Sequence, residues 1–264
     1  MSSASPAVGR SLQLLLALAS RAGPAGAATL ARELGIPRST VYHLLDVLIE
    51  HHFVVHVPDR HGYVLGVAAF EIGAAYTRHE PLELLARPVL RRLVDATGET
   101  AHLGVLHGAE TLYLLKEQPV LARTPVTLVT DVGVRLPAQL TASGRSILAH
   151  LSGAQVRALF PSSSSFLART GHGPTSLPQL KKTLSEERAQ RWSAEQGQIT
   201  EGLQSVAACA FEHSGRPVAA ISVTWRTDRS PIPVAKLVAA VRRSAQQLTW
   251  AMSGVAPPGW FEAV

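Results

Sequence analysis

Apolar residues along positions 27–48 recur with the spacing of two short helices. Leu30, Leu34 and Ile36 fill one side of the first, and Val41, Leu44, Leu45 and Leu48 repeat at i, i+3, i+4 and i+7 in the second. That is the stripe of a helix with one buried face. Ala31 is small, Gly35 follows four positions later, and Val41 stands six beyond that. Helices that cross steeply need a small residue at the contact, a flexible one in the turn and an apolar peg from the partner helix, so the pattern predicts a helix-turn-helix. The opposite face of the second helix carries Arg38, Ser39, Tyr42, His43 and Asp46, and Pro37 stands at its first turn. A helix with hydrogen-bonding side chains turned outward suits a DNA major groove. The plain alternative is a helical hairpin whose polar face is simply solvated.

The pattern continues on both sides. Residues 11–20, SLQLLLALAS, form a compact apolar helix, and RAGPAG is a connector; the opening MSSASPAVGR reads as a frayed polar end. FVVHVP and YVLG are short strands separated by PDRHG, whose Pro, Asp and Gly mark a turn. Three helices and a hairpin make a winged helix spanning residues 1–65, with Arg60 and His61 at the tip placed to reach DNA, unless the tip is only a solvated turn. Residues 66–80 read as a linker helix. An isolated helix is marginal in water, so it packs on its own domain or on its twin in a second subunit.

From Pro81 the pattern is α+β, and residues 81–264 form the second domain. A helix over 82–97 precedes strands AHLGVLHG and TLYLLKE, with RTPVTLVT as a third; a helix runs over about 139–151. PSSSS is a loop, 178–192 a charged helix, 205–211 and 217–224 strands, and 232–252 a long helix. A central antiparallel sheet with helices on its faces leaves a pocket at one end.

Composition narrows this picture. At 264 residues, 46% hydrophobic and 17% charged, the chain has ample core for two modest domains. No apolar run reaches the ~18 residues of a membrane span, and the run at 12–19 lacks a cleavage context, so no membrane partner is expected. A lone cysteine, Cys209, excludes a disulfide framework or a Cys-rich zinc site and fits the cytoplasm. The net charge of +6 supports an anionic partner such as DNA only weakly, because residues 1–65 hold five arginines against four acids. Five of the eleven histidines, His43, His51, His52, His56 and His61, lie close together. Helix gives way to strand between His52 and His56, so no shared helix face holds a metal, and neither a metal nor another cofactor is expected.

The chain resembles the IclR family of bacterial transcription regulators. The likeness rests on GIPRSTVYHLL, LPAQLTASGRSILAHL and GLQSVAACAFEHSGRPVAAISV, in that order along nearly the whole chain. It implies an N-terminal winged helix-turn-helix, a linker helix and a C-terminal GAF-like effector-binding domain. It also implies a homodimer or dimer of dimers on a double-stranded DNA operator, and a response to a small-molecule effector, often a carboxylate or aromatic. Carried over by motif, Arg38, Ser39, Thr40, Tyr42 and His43 match the recognition helix. Leu128, Leu136, Ala142, Ser143, Leu203, Ser205, Ser222 and Thr224 match the effector pocket, with Glu195 near it. The chain departs from the family pattern at three places: His43 where relatives carry Arg, Ser205 where they carry Cys, and Trp225–Arg226 where a Gly-Pro pair is common. The last is expected to fill or reshape the pocket mouth.

Two other functions compete. An enzyme could assemble Ser143, His102, His107 and Glu201, although no G-x-S-x-G elbow or phosphate loop occurs. A sensor module could use the helix pair to bind protein instead of DNA.

Overall fold

The computed structural model describes residues 5–60, 62–79, 81–119, 130–228 and 232–261. The chain divides into two compact units, Met1–Glu80 and Pro81–Val264.

The first unit holds helices α1 (Pro6–Ala19), α2 (Ala27–Leu34) and α3 (Arg38–Glu50), strands β1 (Val54–Val57) and β2 (Gly62–Leu65), and helix α4 (Val67–His79). Leu14, Leu30, Val41 and Leu45 are fully enclosed in its core. α2 stops at Gly35, whose φ of +63° is left-handed, the conformation glycine adopts without steric cost. Ile36 then drops into the core and Pro37 caps α3. The strands pair antiparallel from Val54↔Leu65 to Val57↔Gly62, with a 3-10 turn at Pro58–Arg60 between them. Two expectations are corrected here. The opening segment is helical from Pro6, because proline at a first turn starts a helix. The RAGPAG connector also adds a short third rung to the hairpin, since Ala25 and Tyr63 exchange both backbone hydrogen bonds.

The second unit is built on a six-stranded antiparallel sheet, ordered β5-β4-β3-β8-β7-β6. Its strands are β3 (Thr100–His107), β4 (Glu110–Glu117), β5 (Arg135–Pro137), β6 (Ser193–Gln196), β7 (Leu203–Phe211) and β8 (Pro217–Arg226). Helices α5 (Pro81–Thr97) and α9 (Val234–Ala251) cover one face through Leu90, Leu237 and Val241, packed on Val206, Ile221, Val223 and Trp225. Helix α6 (Ala142–Leu148) lies over the other face, with α7 (Gly153–Leu159) and α8 (Leu177–Gln190) beside it.

α6 is shorter than expected at both ends. The Thr141 hydroxyl accepts from the Gly144 amide at 2.9 Å and starts the helix there, three residues later than the apolar pattern suggests. A separate helix follows, opened by a Ser152–Gln155 capping box. Gly144 lets α6 lie tight against the sheet, since a Cβ there would sit 2.4 Å from the Ala138 carbonyl and 2.5 Å from the Thr111 hydroxyl. The expected third strand, RTPVTLVT, falls outside the described residues except Thr130, which is not in a strand. The strand beside β4 is instead Arg135–Pro137, and Ser193–Gln196 forms the opposite edge. Both are too short to show a period of two.

Candidate functional site

Two surfaces carry the chemistry. On α3, Val41, Leu44, Leu45 and Leu48 point into the core, while Arg38, Ser39, Tyr42, His43 and Asp46 are exposed and Thr40 is half-buried. Tyr42, half exposed, offers a ring and a hydroxyl to solvent. The hairpin stands beside this face: burial raises the pKa of Tyr63, and Tyr42 and Asp46 raise it further. The Tyr63 ring lies 4.8 Å from that of His56 on the paired strand. A guanidinium, three hydroxyls and an imidazole on one free face are groups that read base edges and phosphates. Of the hairpin-tip residues, Arg60 ends the 3-10 turn and its side chain is not described; His61 lies outside the described residues. Among the described residues no cluster of three metal-ligating side chains occurs.

The second surface is a small, part-open cavity between α6 and the sheet, with about 410 Å³ of space between its atoms when the open solvent at its mouth is counted. Strand alternation explains its lining. On β7 and β8, Ser205, Ser222 and Thr224 face the cavity, while Val206, Val223 and Trp225 face the α5–α9 side. Trp225 is thus buried away from the cavity, and its expected role at the pocket mouth is withdrawn. α6 contributes Ala142 and Ser143, and Leu203 closes the wall. Six sequence-named positions therefore meet at one place. Leu136 is buried in β5 but is not part of the lining, and Leu128 lies outside the described residues.

The wall also includes Tyr113, Thr130, Ile199 and Thr200, which were not anticipated, together with Thr141 and Glu195. Tyr113 escapes a simple alternation because β4 bulges: Leu103 pairs with Leu115 but Gly104 with Tyr113, so Leu114 is skipped and Tyr113 turns to the cavity. Ile199 and Thr200 sit in an irregular loop with no period to read.

The polar wall is internally bonded. Ser143 Oγ donates to Ser222 Oγ at 3.0 Å, and Ser205 Oγ lies 2.9 Å from Thr224 Oγ1. Thr130 Oγ1 is 2.9 Å from His102 Nε2. Glu195 Oε1 accepts from the amides of Gln198 at 2.5 Å and Ile199 at 3.1 Å. Behind the wall, the buried Arg145 donates to Glu187 Oε1 at 2.9 Å, the Gln139 carbonyl at 3.0 Å, Gln198 Oε1 at 2.6 Å and the Ala194 carbonyl. Burial raises the carboxyl pKa of Glu187 and Glu195, opposed at Glu187 mainly by Arg145 and at Glu195 mainly by the two loop amides. Burial pushes the His102 imidazole down to about 3, assisted by Lys116, and raises the Tyr113 phenol. The residues imagined as a triad do not assemble. Ser143 meets a hydroxyl instead of a base, His102 bonds Thr130, and His107 and Glu201 are exposed.

Comparison with known proteins finds relatives of both units. The IclR helix-turn-helix domain model matches residues 7–58, and that of the bacterial transcriptional regulator IclR C-terminal domain matches residues 74–250. The chain is 29% identical over 247 residues to the transcriptional repressor IclR of Escherichia coli K12, covering 93% of this chain and 89% of that one. It is similar to an IclR-type regulator from Silicibacter sp. TM1040, with TM-score 0.77 and 27% identity over 96% of this chain and 98% of the other. An IclR homologue from Microbacterium hydrocarbonoxydans, solved with 4-hydroxybenzoate, shares the fold at TM-score 0.77 and 20% identity, over 93% and 98% of the two chains.

Proposed function

This chain belongs to the IclR family of bacterial transcriptional regulators, and from that premise we propose that it is a cytoplasmic repressor released or retuned by a small metabolite. The observation that carries this reading is the free polar face of α3, where Arg38, Ser39, Thr40, Tyr42 and His43 stand over a closed apolar core. Arg60 and His61 would add contacts from the hairpin tip. A homodimer, or a dimer of dimers, places two such helices on half-sites about 34–36 Å apart along a palindromic operator. Apolar side chains left in solvent in the first unit support self-association: Leu12 and Leu16 on α1, and Phe70 and Ile72 on α4, are each more than half exposed.

The effector occupies the cavity of the second unit, held by Ala142, Ser143, Leu203, Ser205, Ser222 and Thr224; Leu128 and Leu136 are assigned to it by motif likeness alone. The 4-hydroxybenzoate bound by the Microbacterium homologue makes a small carboxylate or aromatic the first class to try. An effector that binds one dimer arrangement better than another shifts the population between them and so alters operator affinity. The hydroxyl partner of Ser143 favours this reading over hydrolysis. A gel shift against the chain's own upstream region tests the assignment. Sequence-selective retardation that weakens with salt is expected; none at any protein concentration would end the repressor reading.

A further inference from the structure

The ligand cavity is unevenly charged. Its described wall contains one ionisable carboxylate, that of Glu195 at 3% exposure, and no lysine, arginine or histidine. The cation acting on Glu195 is Arg145, whose Nε already pairs with Glu187 and whose other nitrogens serve two carbonyls and Gln198. Glu187, Glu195 and Arg145 therefore carry one net negative charge when all three are ionised and the cavity is empty of ligand. The two oxygens of Glu195 are not equivalent. Oε1 takes both loop amides, whereas among the described residues Oε2 has only the Ser205 hydroxyl at 3.4 Å, and that hydroxyl also contacts Thr224 at 2.9 Å. Among the described residues Oε2 therefore has one long, shared donor.

We propose that Glu195 determines the specificity of this cavity, admitting a small carboxylic acid only together with one proton, shared between Glu195 Oε2 and a carboxyl oxygen of the ligand. The inference rests on the ligand-binding reading of the cavity. Two carboxylates in one site out of water do not both ionise where, among the described residues, the one nearby cation, Arg145, is already paired with Glu187 and leaves their repulsion and lost hydration uncompensated. The proton comes from solvent, and the O–H of one carboxyl donates to the carboxylate of the other. The pair titrates as a unit, so the proton belongs to neither partner alone. A neutral ligand with an N–H or O–H donor binds Oε2 with no proton uptake.

The groups facing Glu195 favour this arrangement. Tyr113 on β4 stays protonated because burial raises its pKa, and Ser205 on β7 is neutral. The Gln198 and Ile199 amides hold Oε1, and Arg145 on α6 is neutralised by Glu187 on α8. Burial already raises the Glu195 carboxyl. The complex holds one proton more than the separated protein and acid anion. Acid affinity therefore rises as pH falls, and is lost by up to about tenfold per pH unit on the alkaline side.

The test uses the full chain and a broad panel of small aliphatic and aromatic carboxylic acids, 4-hydroxybenzoate among them, each beside its primary amide. Thermal shifts at pH 6 and pH 8 choose the acid, and calorimetry in phosphate and Tris buffers counts protons. The expected result is an acid that binds more weakly at pH 8, with uptake near one proton, while its amide is indifferent to pH. Glu195→Gln keeps an oxygen for the two loop amides; it should remove the pH dependence and bind the acid at pH 8 at least as tightly as the parent protein. Equal acid binding at both pH values, no buffer-dependent heat, or a pH dependence that survives in Glu195→Gln would overturn the proposal. If that variant does not fold, proton uptake by the parent protein still decides. An amide that binds while its acid binds at neither pH also overturns it. A panel in which nothing shifts the protein removes the ligand-binding reading itself, and this inference with it.

Discussion

Helices α3 and α6 carry the two functions and are built in opposite ways. α3 keeps Val41, Leu44, Leu45 and Leu48 in the core and leaves Arg38, Ser39, Tyr42 and His43 in water. α6 has no free side: all seven residues of Ala142–Leu148 are buried, Arg145 at 1% exposure among them. A site on a free face can change without disturbing what holds the helix. A site inside a buried helix cannot, because its polar side chains are also partners of something else, Ser143 of Ser222 and Arg145 of Glu187. DNA-reading variants should therefore leave stability alone, whereas cavity variants should carry a stability cost.

Acid should separate the units most strongly. His102 is held down to about 3 by burial and then Lys116, and His150 to about 4 by burial and then Arg188; both lie in the second unit. Each is neutral when folded and takes a proton when unfolded below its ordinary 6.5, so their contribution is intact above 6.5 and is lost as pH falls. The loss is about 1.4 kcal/mol per pH unit for His102, less for the half-buried His150, against a typical domain stability of about 5–15 kcal/mol. All four tryptophans belong to the second unit, so their fluorescence should report an acid transition that His102→Gln moves to lower pH. An unmoved transition would remove His102 as its cause.

Breaking the buried ion pair comes next. Arg145→Met leaves Glu187 enclosed without its counter-charge and should cost about 3–5 kcal/mol in urea denaturation, while Arg145→Met with Glu187→Leu should recover most of it. If the double variant is no better than the single, the carbonyl bonds of Arg145 outweigh its ion pair.

Leu45→Ala and Arg38→Ala sharpen the comparison within α3. Leu45 is fully buried, and its truncation should cost about 2–5 kcal/mol and remove DNA binding by unfolding the first unit. Arg38→Ala and Tyr42→Ala should shift unfolding by no more than about 0.5 kcal/mol yet weaken operator binding by about 1–3 kcal/mol each. Matched losses in folding and binding would show that this face is not free. The smallest effect is expected from Thr141→Ala, which removes the α6 cap and the 2.7 Å contact with Thr111, at about 1 kcal/mol by thermal denaturation.

The same contrast explains what could be read before the structure. The face of α3 was legible because one helix lies half in water, so its burial is written as a period of 3.6 residues. A pocket at one end of the sheet was legible from the layer pattern, but its lining at Ala142, Leu203, Ser205, Ser222 and Thr224 came through motif likeness, because α6 is buried all round and has no period. Tyr113 was missed because one skipped residue in β4 changes the facing of every position beyond it. Glu195 could be placed only loosely, since its edge strand spans four residues. Arg145 carried no signal at all; among 25 basic residues nothing local marks one as enclosed.

Taken alone, the sequence determined what nearest neighbours settle: where α3 begins, which side of it is apolar, and that Gly35 permits the turn. Those features follow from backbone sterics and from the partition of side chains within one element. Only tertiary structure decided that Trp225 turns from the cavity while Thr224 enters it, that Ser143 meets Ser222 across 79 positions, and that Glu195 stands in a wall whose described residues include no cation. The physical reason is that such contacts are set by the packing of α6 against a sheet whose strands are distant in the chain, and no window along the sequence contains both partners.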